Sequence, residues 1–469
     1  MRTSEEFLSA LSDDREVYYR GKKVEDVVKH QVLSVAARHA SRLFEIQNRI
    51  VTEPELGEIS RYYATPRSST DLVLRHRLIY DTTMYCNGVF NISQAIGSDA
   101  LFAMRLISGE TDRKHDTKYS ERVRNYHEMV AKKDLTLAVA QTDVKGDRKK
   151  RPYEQSDLDL YVHVNSVEKD GIVVSGAKAH TTQTAVSDEL IVIPTRAMVD
   201  KDSDFAVAFS VPASTTGLKM IVRPIDEFEG NSSALVSPHD YELETLTIFD
   251  RVFVPWERVF LCKEFEFAGL LAVTFATFHR FTAVSYRAAT SNLYLGSALS
   301  MARQNGIADS PHVKDRVGDI VMYKELMRMS AIAAASSPQI KDDIAVPNPL
   351  YTNIGKLYSN NNFSDVLDAL VDISGGIIST LPSMEDLKNP VLKKDIGKYM
   401  SAAGDGEERI KSIRLAKELA ASSHTGYMLT LMLHAEGSIE ASKMALLKDA
   451  DLSDSEKLVK RILESDKVK

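Results

Sequence analysis

Gln141-Thr142-Asp143-Val144-Lys145-Gly146-Asp147-Arg148 and, further along, Gly171-Ile172-Val173-Val174-Ser175-Gly176-Ala177-Lys178-Ala179-His180-Thr181-Thr182 read together as one wall of a binding site. In the first segment a glycine sits among Lys145, Asp147 and Arg148 just after an apolar run. Such a loop lets backbone N–H groups and a guanidinium converge on a phosphate or pyrophosphate. The second segment is a β-branched run behind the turn Lys169-Asp170-Gly171, the pattern of the second strand of a hairpin. It ends in adjacent hydroxyls, Thr181 and Thr182, which suit the edge of a planar heterocycle. Taken alone, a glycine between charges makes a turn and paired threonines make a solvated strand face; their succession is what points to a site.

On either side of this wall the spacing is helical. From Ser4 to about Leu137, Val27, Val28, Val32, Val35 and Ala36 recur at three and four, as do Leu101, Met104, Leu106 and Ile107. This predicts a helical front domain over residues 1–137. Residues 138–262 change to short β-branched or alternating runs, such as Leu190-Ile191-Val192-Ile193, separated by Gly, Asp, Ser and Pro. They read as a compact β-barrel or sandwich. From 263 to 469 helical periodicity returns, with alanine-rich stretches at Ala288 to Ala302 and Met327 to Ala335, predicting a bundle of long helices closed by a charged surface tail. Helices, a β region and a bundle make an α+β chain.

At 469 residues and 43% hydrophobic content, the chain is long enough for two or three packed sub-regions. A net charge of -7 argues against a protein that neutralises nucleic-acid phosphates, with Lys145 to Arg151 the one basic exception. No apolar run is read as approaching the length that spans a bilayer, and Met1-Arg2-Thr3-Ser4-Glu5-Glu6 lacks a signal-peptide pattern, so a cytoplasmic protein without membrane or nucleic-acid partners is expected. Cys86 and Cys262 are far apart, without a CxxC or Cys/His cluster. No metal site is therefore expected, and two cysteines cannot ligate a Cys₄ iron–sulfur centre.

Both segments of the wall, together with Leu246-Thr247-Ile248-Phe249-Asp250-Arg251-Val252-Phe253-Val254-Pro255-Trp256-Glu257-Arg258-Val259-Phe260, His312-Val313-Lys314-Asp315, Ser374-Gly375-Gly376 and Leu381-Pro382-Ser383, resemble the family that contains 4-hydroxyphenylacetate 3-monooxygenase and 4-hydroxybutyryl-CoA dehydratase. The resemblance covers nearly the whole chain. The wording of Thr142 to Arg148, Gly176 to His180 and Phe260-Leu261-Cys262 leans toward the dehydratase. It implies an acyl-CoA-dehydrogenase-like fold, with FAD between the β domain and the bundle, and a homotetramer.

Carried over residue by residue, the resemblance implies FAD contacts at Val139, Ala140, Gln141, Thr142, Lys145, Gly146, Asp147, Arg148 and Thr182, and at a far segment, Gly437, Ser438, Ile439 and Glu440. Thr142, Arg148 and Thr182 match the task best, with hydroxyls toward the ring edge and a guanidinium toward phosphate. His279 matches the dehydratase's iron-ligating histidine, which also has a proton-transfer role, and Glu244 its active-site glutamate. Both are candidate catalytic bases. The sole tryptophan, Trp256, reads as a packing anchor between domains rather than a ring that stacks on flavin.

The departures narrow the chemistry. Where the dehydratase has cluster cysteines, this chain resembles it with Asn91, Ala95 and Tyr286, so no iron–sulfur cluster and no dehydration are expected. The monooxygenase's catalytic histidine falls on Val139, and its active-site arginine and tyrosine fall near Ile96 and Ala100, which removes the groups that bind a phenol. Three readings remain. The first is a cluster-free isomerase of a short acyl-CoA, of the vinylacetyl-CoA type, using Glu244 and His279. The second is a monooxygenase that takes reduced FAD from a separate flavin reductase and hydroxylates an aromatic acid or other small substrate with oxygen. The third is a non-catalytic paralogue.

Overall fold

The computed structural model describes residues 1–225, 234–437 and 439–465. Its centre is an antiparallel pair of long strands, Gly171–Thr182 and Glu244–Pro255. The register sets Thr182 opposite Glu244 at one end and Gly171 opposite Pro255 at the other. Gly176 has a φ of +122°, and a Cβ there would lie 2.2 Å from the carbonyl oxygen of Tyr161, so only glycine fits.

A six-stranded sheet grows around this pair in the order Lys22–Val24, Glu16–Tyr19, Leu218–Val222, Glu244–Pro255, Gly171–Thr182, His163–Val167. A second sheet runs Val259–Cys262, Val207–Pro212, Glu189–Val192, Leu137–Ala140. Phe209 of the second sheet meets Phe249 of the first edge to face, with ring centroids 5.7 Å apart. The apolar runs Leu190 to Ile193 and Val207 to Phe209 are fully covered, which is why they read as continuous rather than alternating. Within the first sheet the hydroxyls of Thr181, Thr245 and Thr247 lie 2.5 to 2.8 Å from one another and satisfy each other away from water.

The front segment is not helical throughout. Glu16–Tyr19 and Lys22–Val24 are strands, and Glu16–Tyr19 pairs in parallel with Leu218–Val222. Strands this short carry too few alternations to register in a sequence. The helix that includes Val35 and Ala36 begins only at Leu33, whereas Ser69–Tyr85, Ala95–His115 and Tyr119–Lys132 are full helices.

Three long helices, Phe265–Gln304, Pro311–Ser336 and Pro349–Ser374, form the heart of the bundle, two of them opened by a proline whose missing N–H costs nothing in the first turn. The helix Phe265–Gln304 corrects the expectation about apolar runs. By length and composition it could cross a bilayer, with a most apolar window of mean hydropathy 1.3, but 61% of that window is buried inside the protein, as in a bundle's central helix. The final helix, Ser453–Ser465, lies on the surface. Trp256 does act as an anchor: its Nε1 donates to the carbonyl of Lys169 at 3.1 Å while the Arg122 guanidinium lies over its ring.

Candidate active site

One pocket, enclosing about 780 Å³ including its mouth, lies where the sheet end meets the bundle. Its walls come from four places. The sheet supplies Thr182 and the segment that enters the strand Glu244–Pro255. The helix Phe265–Gln304 supplies His279 and Tyr286. The turn before the helix Ala95–His115 supplies Phe90, and the helix Ser423–His434 with the turn after it supplies Tyr427 and Glu436.

Thr182 and Glu244 are joined directly. Thr182 Oγ1 donates to Glu244 Oε1 at 2.9 Å, and Tyr427 OH donates to the same oxygen at 3.1 Å. The other oxygen, Oε2, is buried without a partner. Burial raises the proton affinity of Glu244, and the two hydroxyls and Arg223 partly reverse this by favouring its charged form. The Arg223 guanidinium lies 4.0 Å from the centre of the Tyr427 ring and donates to Tyr241 OH.

His279 stands within the helix Phe265–Gln304. Its ring stacks on Phe275, and its Nδ1 is 3.7 Å from Asp99 Oδ2. Asp99 is fixed in turn by Arg75 at 2.6 Å. The helix Phe265–Gln304 thus presents one imidazole to the pocket with a buried carboxylate behind it.

Glu436 closes the far side. It has a left-handed φ of +58°, and the next residue, Gly437, has φ +98°. Burial would raise the Glu436 carboxyl, but Arg287 at 2.6 Å, with His279 and Lys356 nearby, holds it below the usual carboxylate range. Lys356 donates to the carbonyl of Gly437 at 2.7 Å, and its amine is pushed down to about 8 by burial. Gly437 therefore lies beside the pocket, whereas Ile439 and Glu440 open the helix Ile439–Asp449. Ser438 lies outside the described residues.

The loop Gln141 to Arg148 is tied down at its start and also at its end, where Tyr161 OH donates to the Lys145 carbonyl and the Asp147 N–H donates to Gln155 Oε1, both at 3.0 Å. Lys178 Nζ donates to the carbonyls of Gln141 and Ile193 and pairs with Asp143 at 2.6 Å. The Thr142 carbonyl accepts from the Ala179 N–H at 2.9 Å. Lys145, Gly146, Asp147 and Arg148 are exposed. Gly146 turns with φ +49°, and a Cβ there would lie 2.7 Å from Tyr161 OH. Val139 is half-buried and Ala140 fully buried in the strand Leu137–Ala140, so Ala140 offers a ligand only its backbone. Near this loop His180 has a left-handed φ of +56°. Partial burial lowers the proton affinity of its imidazole, and Lys145 and His434 add repulsion.

The arrangement fits a flavin nucleotide. Lys145 and Arg148 present charged ends with no ion pair among the described residues, the Gly146 turn leaves no room for a side chain, and Thr182 carries a hydroxyl to the pocket wall. The dehydratase's cluster positions hold other chemistry. Asn91 Nδ2 donates to the His39 carbonyl at 2.7 Å, Ala95 opens a helix, and Tyr286 stacks on Phe90 with its OH 3.1 Å from Glu436 Oε1.

Three features were missed in the sequence. Glu242 and Tyr427 line the pocket, and a signal for Glu242 existed in the acid at every second position through Asp240, Glu242 and Glu244. The third is a buried cluster of His39, Cys86 and Asp240, whose side-chain donor atoms lie within 4.8 Å of one another, although no spacing in the sequence suggests it. Hydrogen bonds already fill it: Asp240 accepts from His39 at 2.9 Å, Arg42 at 2.5 Å and Asn87 at 2.6 Å. The His39 imidazole is raised to about 10: burial opposes its charge, but Asp240 and Cys86 outweigh it. The cluster is an ion-pair knot.

Fold and site define an enzyme of the flavin-dependent class with an acyl-CoA-dehydrogenase-like fold. The family models described as 4-hydroxyphenylacetate 3-hydroxylase N terminal and C terminal match residues 3–261 and 268–464, and the chain belongs to that family. It is 30% identical to the 4-hydroxybutyryl-CoA dehydratase/vinylacetyl-CoA-Delta-isomerase of Clostridium aminobutyricum, over 98% of this chain and 99% of that protein. It is 26% identical to the 4-hydroxyphenylacetate 3-monooxygenase oxygenase component of Geobacillus sp. (strain PA-9), over 90% and 88% of the two chains. Among solved structures, an oxygen-tolerant archaeal 4-hydroxybutyryl-CoA dehydratase from N. maritimus superposes with a TM-score of 0.93 at 26% identity, over 99% of this chain and 95% of that one. The HpaB oxygenase component of 4-hydroxyphenylacetate 3-monooxygenase, complexed with FAD, gives 0.92 at 25% identity over the full length of both.

Proposed function

We propose that this protein binds FAD and acts on a short acyl-CoA as a cluster-free double-bond isomerase of the vinylacetyl-CoA type. The observation that carries the reading is the buried carboxyl of Glu244, braced by Thr182 and Tyr427, which line the same pocket as the imidazole of His279. A 1,3-shift of a double bond needs a base at the α-carbon, a donor near the acyl oxygen and a proton source at the γ-carbon. A carboxyl whose proton affinity is raised by burial is a competent base near neutral pH. Glu244 takes the α proton, and His279 serves the acyl oxygen or the γ-carbon.

Lys145 and Arg148 would hold the pyrophosphate of FAD, with the Gly146 turn and Asp147 shaping the loop. Val139, Ala140, Gln141, Thr142 and Thr182 would meet the ring, and Gly437, Ile439 and Glu440 would complete the cofactor's surroundings. When bound, FAD would supply a redox-capable ring. Asn91, Ala95 and Tyr286 offer no thiolate, so dehydration through an iron–sulfur cluster is not part of the reading. The protein works in the cytoplasm as a homotetramer.

A second reading is favoured by the family models, which are described as hydroxylases, and by the aromatic lining of Phe90, Tyr241, Tyr286 and Tyr427. In it, reduced FAD from a separate reductase and oxygen hydroxylate an aromatic acid. Vinylacetyl-CoA added under nitrogen to the FAD-loaded protein separates the two. Crotonyl-CoA formed without reductant or oxygen, and lost in Glu244→Gln, is the expected result. No turnover under nitrogen, with hydroxylated product only when reductase and oxygen are present, would sink the isomerase; no turnover in either case returns the chain to a binding role.

A further inference from the structure

Asp240, Glu242 and Glu244 occupy every second position of the segment that enters the strand Glu244–Pro255, and all three are buried. Their partners differ. Asp240 is neutralised by His39 and Arg42, and Glu244 accepts from two hydroxyls. Glu242 lines the pocket, is only 7% exposed, and has its Oε1 sealed away without a hydrogen-bond partner.

The groups that act on Glu242 from surrounding elements are His39, Glu244, Arg223 and Glu436. Burial pushes its carboxyl up to about 8; Glu244 and Glu436 reinforce this, while His39 and Arg223 oppose it. A buried carboxyl whose desolvation outweighs the cations around it rests as the neutral acid. Glu242 lines the pocket and Glu244 is bonded to two of its lining residues, Thr182 and Tyr427; two neighbouring carboxyls whose surroundings separate their proton affinities divide the work into acid and base.

We propose that Glu242 is the acid partner of Glu244, carrying the proton that the γ-carbon of the substrate receives. This deepens the isomerase reading and rests on it. The Glu244 carboxylate takes a proton from the α-carbon of a but-3-enoyl thioester, and the C–H electron pair becomes the new α,β double bond. The pair of the old β,γ double bond takes the proton of the Glu242 O–H and becomes a C–H bond of the new methyl group. Product leaves with Glu244 protonated and Glu242 ionised, and return of one proton from Glu244 to Glu242 restores the start. No oxidant or reductant is consumed. His279 is left to donate to the acyl oxygen.

The test uses the FAD-loaded full chain and vinylacetyl-CoA in D₂O. Glu242→Gln keeps the shape and a neutral donor but has no proton to transfer. It is expected to wash deuterium into the α-carbon at close to the wild-type rate while crotonyl-CoA formation falls about 100-fold or more. Glu244→Gln is expected to lose both, and Glu242→Asp, an ionisable acid on a shorter arm, to recover part of the product. Wild-type product formation by Glu242→Gln would overturn the proposal. Independently, infrared difference spectra of wild-type protein should show a protonated-carboxyl band that titrates near pH 8 and is missing in Glu242→Gln; a wild-type spectrum without it also overturns the assignment. Should wild-type protein neither exchange nor isomerise, the isomerase reading falls and takes γ-protonation with it, while the infrared band separately decides whether Glu242 is the neutral acid of the pocket.

Discussion

Thr182 and Glu244 are partners twice over: they face each other in the register of the two central strands, and Thr182 Oγ1 lies 2.9 Å from Glu244 Oε1. The last pair of a β ladder thus becomes the first contact of the site. Because the donor favours the charged carboxylate, Thr182→Val should raise the proton affinity of Glu244. The limb of the pH–rate profile that reports its ionisation should move up by about one unit. Activity should fall at pH 6 and recover at high pH; an unmoved limb would separate Glu244 from the reaction.

Glu242 makes stability depend on pH in a defined direction. Its folded-state affinity, near 8, exceeds the ordinary value of 4.5, so its contribution is fully present below pH 4.5 and is lost as pH rises through 8. Glu242→Gln cannot ionise. The melting temperature of the variant should therefore gain on wild type as pH rises from 5 to 8, at about 1.4 kcal/mol per pH unit at most. Parallel melting curves across that range would contradict a neutral Glu242.

Asp240 stabilises two cations in a buried knot. The raised affinity of His39, near 10 against an ordinary 6.5, contributes stability that is fully present below 6.5 and is lost as pH rises through 10. Asp240→Asn strands the charges of His39 and Arg42 and should cost about 3 to 5 kcal/mol in denaturant unfolding at pH 6. The deficit should shrink at pH 9.

Arg148 is exposed and holds no ion pair among the described residues, so Arg148→Ala should leave the melting temperature of the cofactor-free protein unchanged. FAD binding, followed by flavin fluorescence, should weaken about tenfold or more at low salt, with the gap closing as salt rises.

The sequence made the β region and the long helices legible because their signals are local: β-branched runs such as Ile172 to Val174, and helical periodicity through Ala288 to Ala302. The site was legible only where the resemblance supplied positions. Thr182, Glu244 and His279 do converge, but the hydroxyl that completes the Glu244 environment comes from Tyr427, 183 residues away. No periodicity reports such a distance. His39, Cys86 and Asp240 meet for the same reason, through packing of three separate segments. Glu242 escaped notice because an acid between other acids looks like a solvated run until burial is known.

The helix Phe265–Gln304 lines the pocket from His279 to Tyr294, a span of about 22 Å at the rise of an α-helix. A single rigid rod therefore carries both the imidazole of His279 and, further along the pocket wall, Leu293 and Tyr294. It acts as a ruler. Under the proposed isomerase function, substitutions at its far marks should change how long a chain can enter without disturbing the graduations at His279, so that length and chemistry would be adjustable separately along one element.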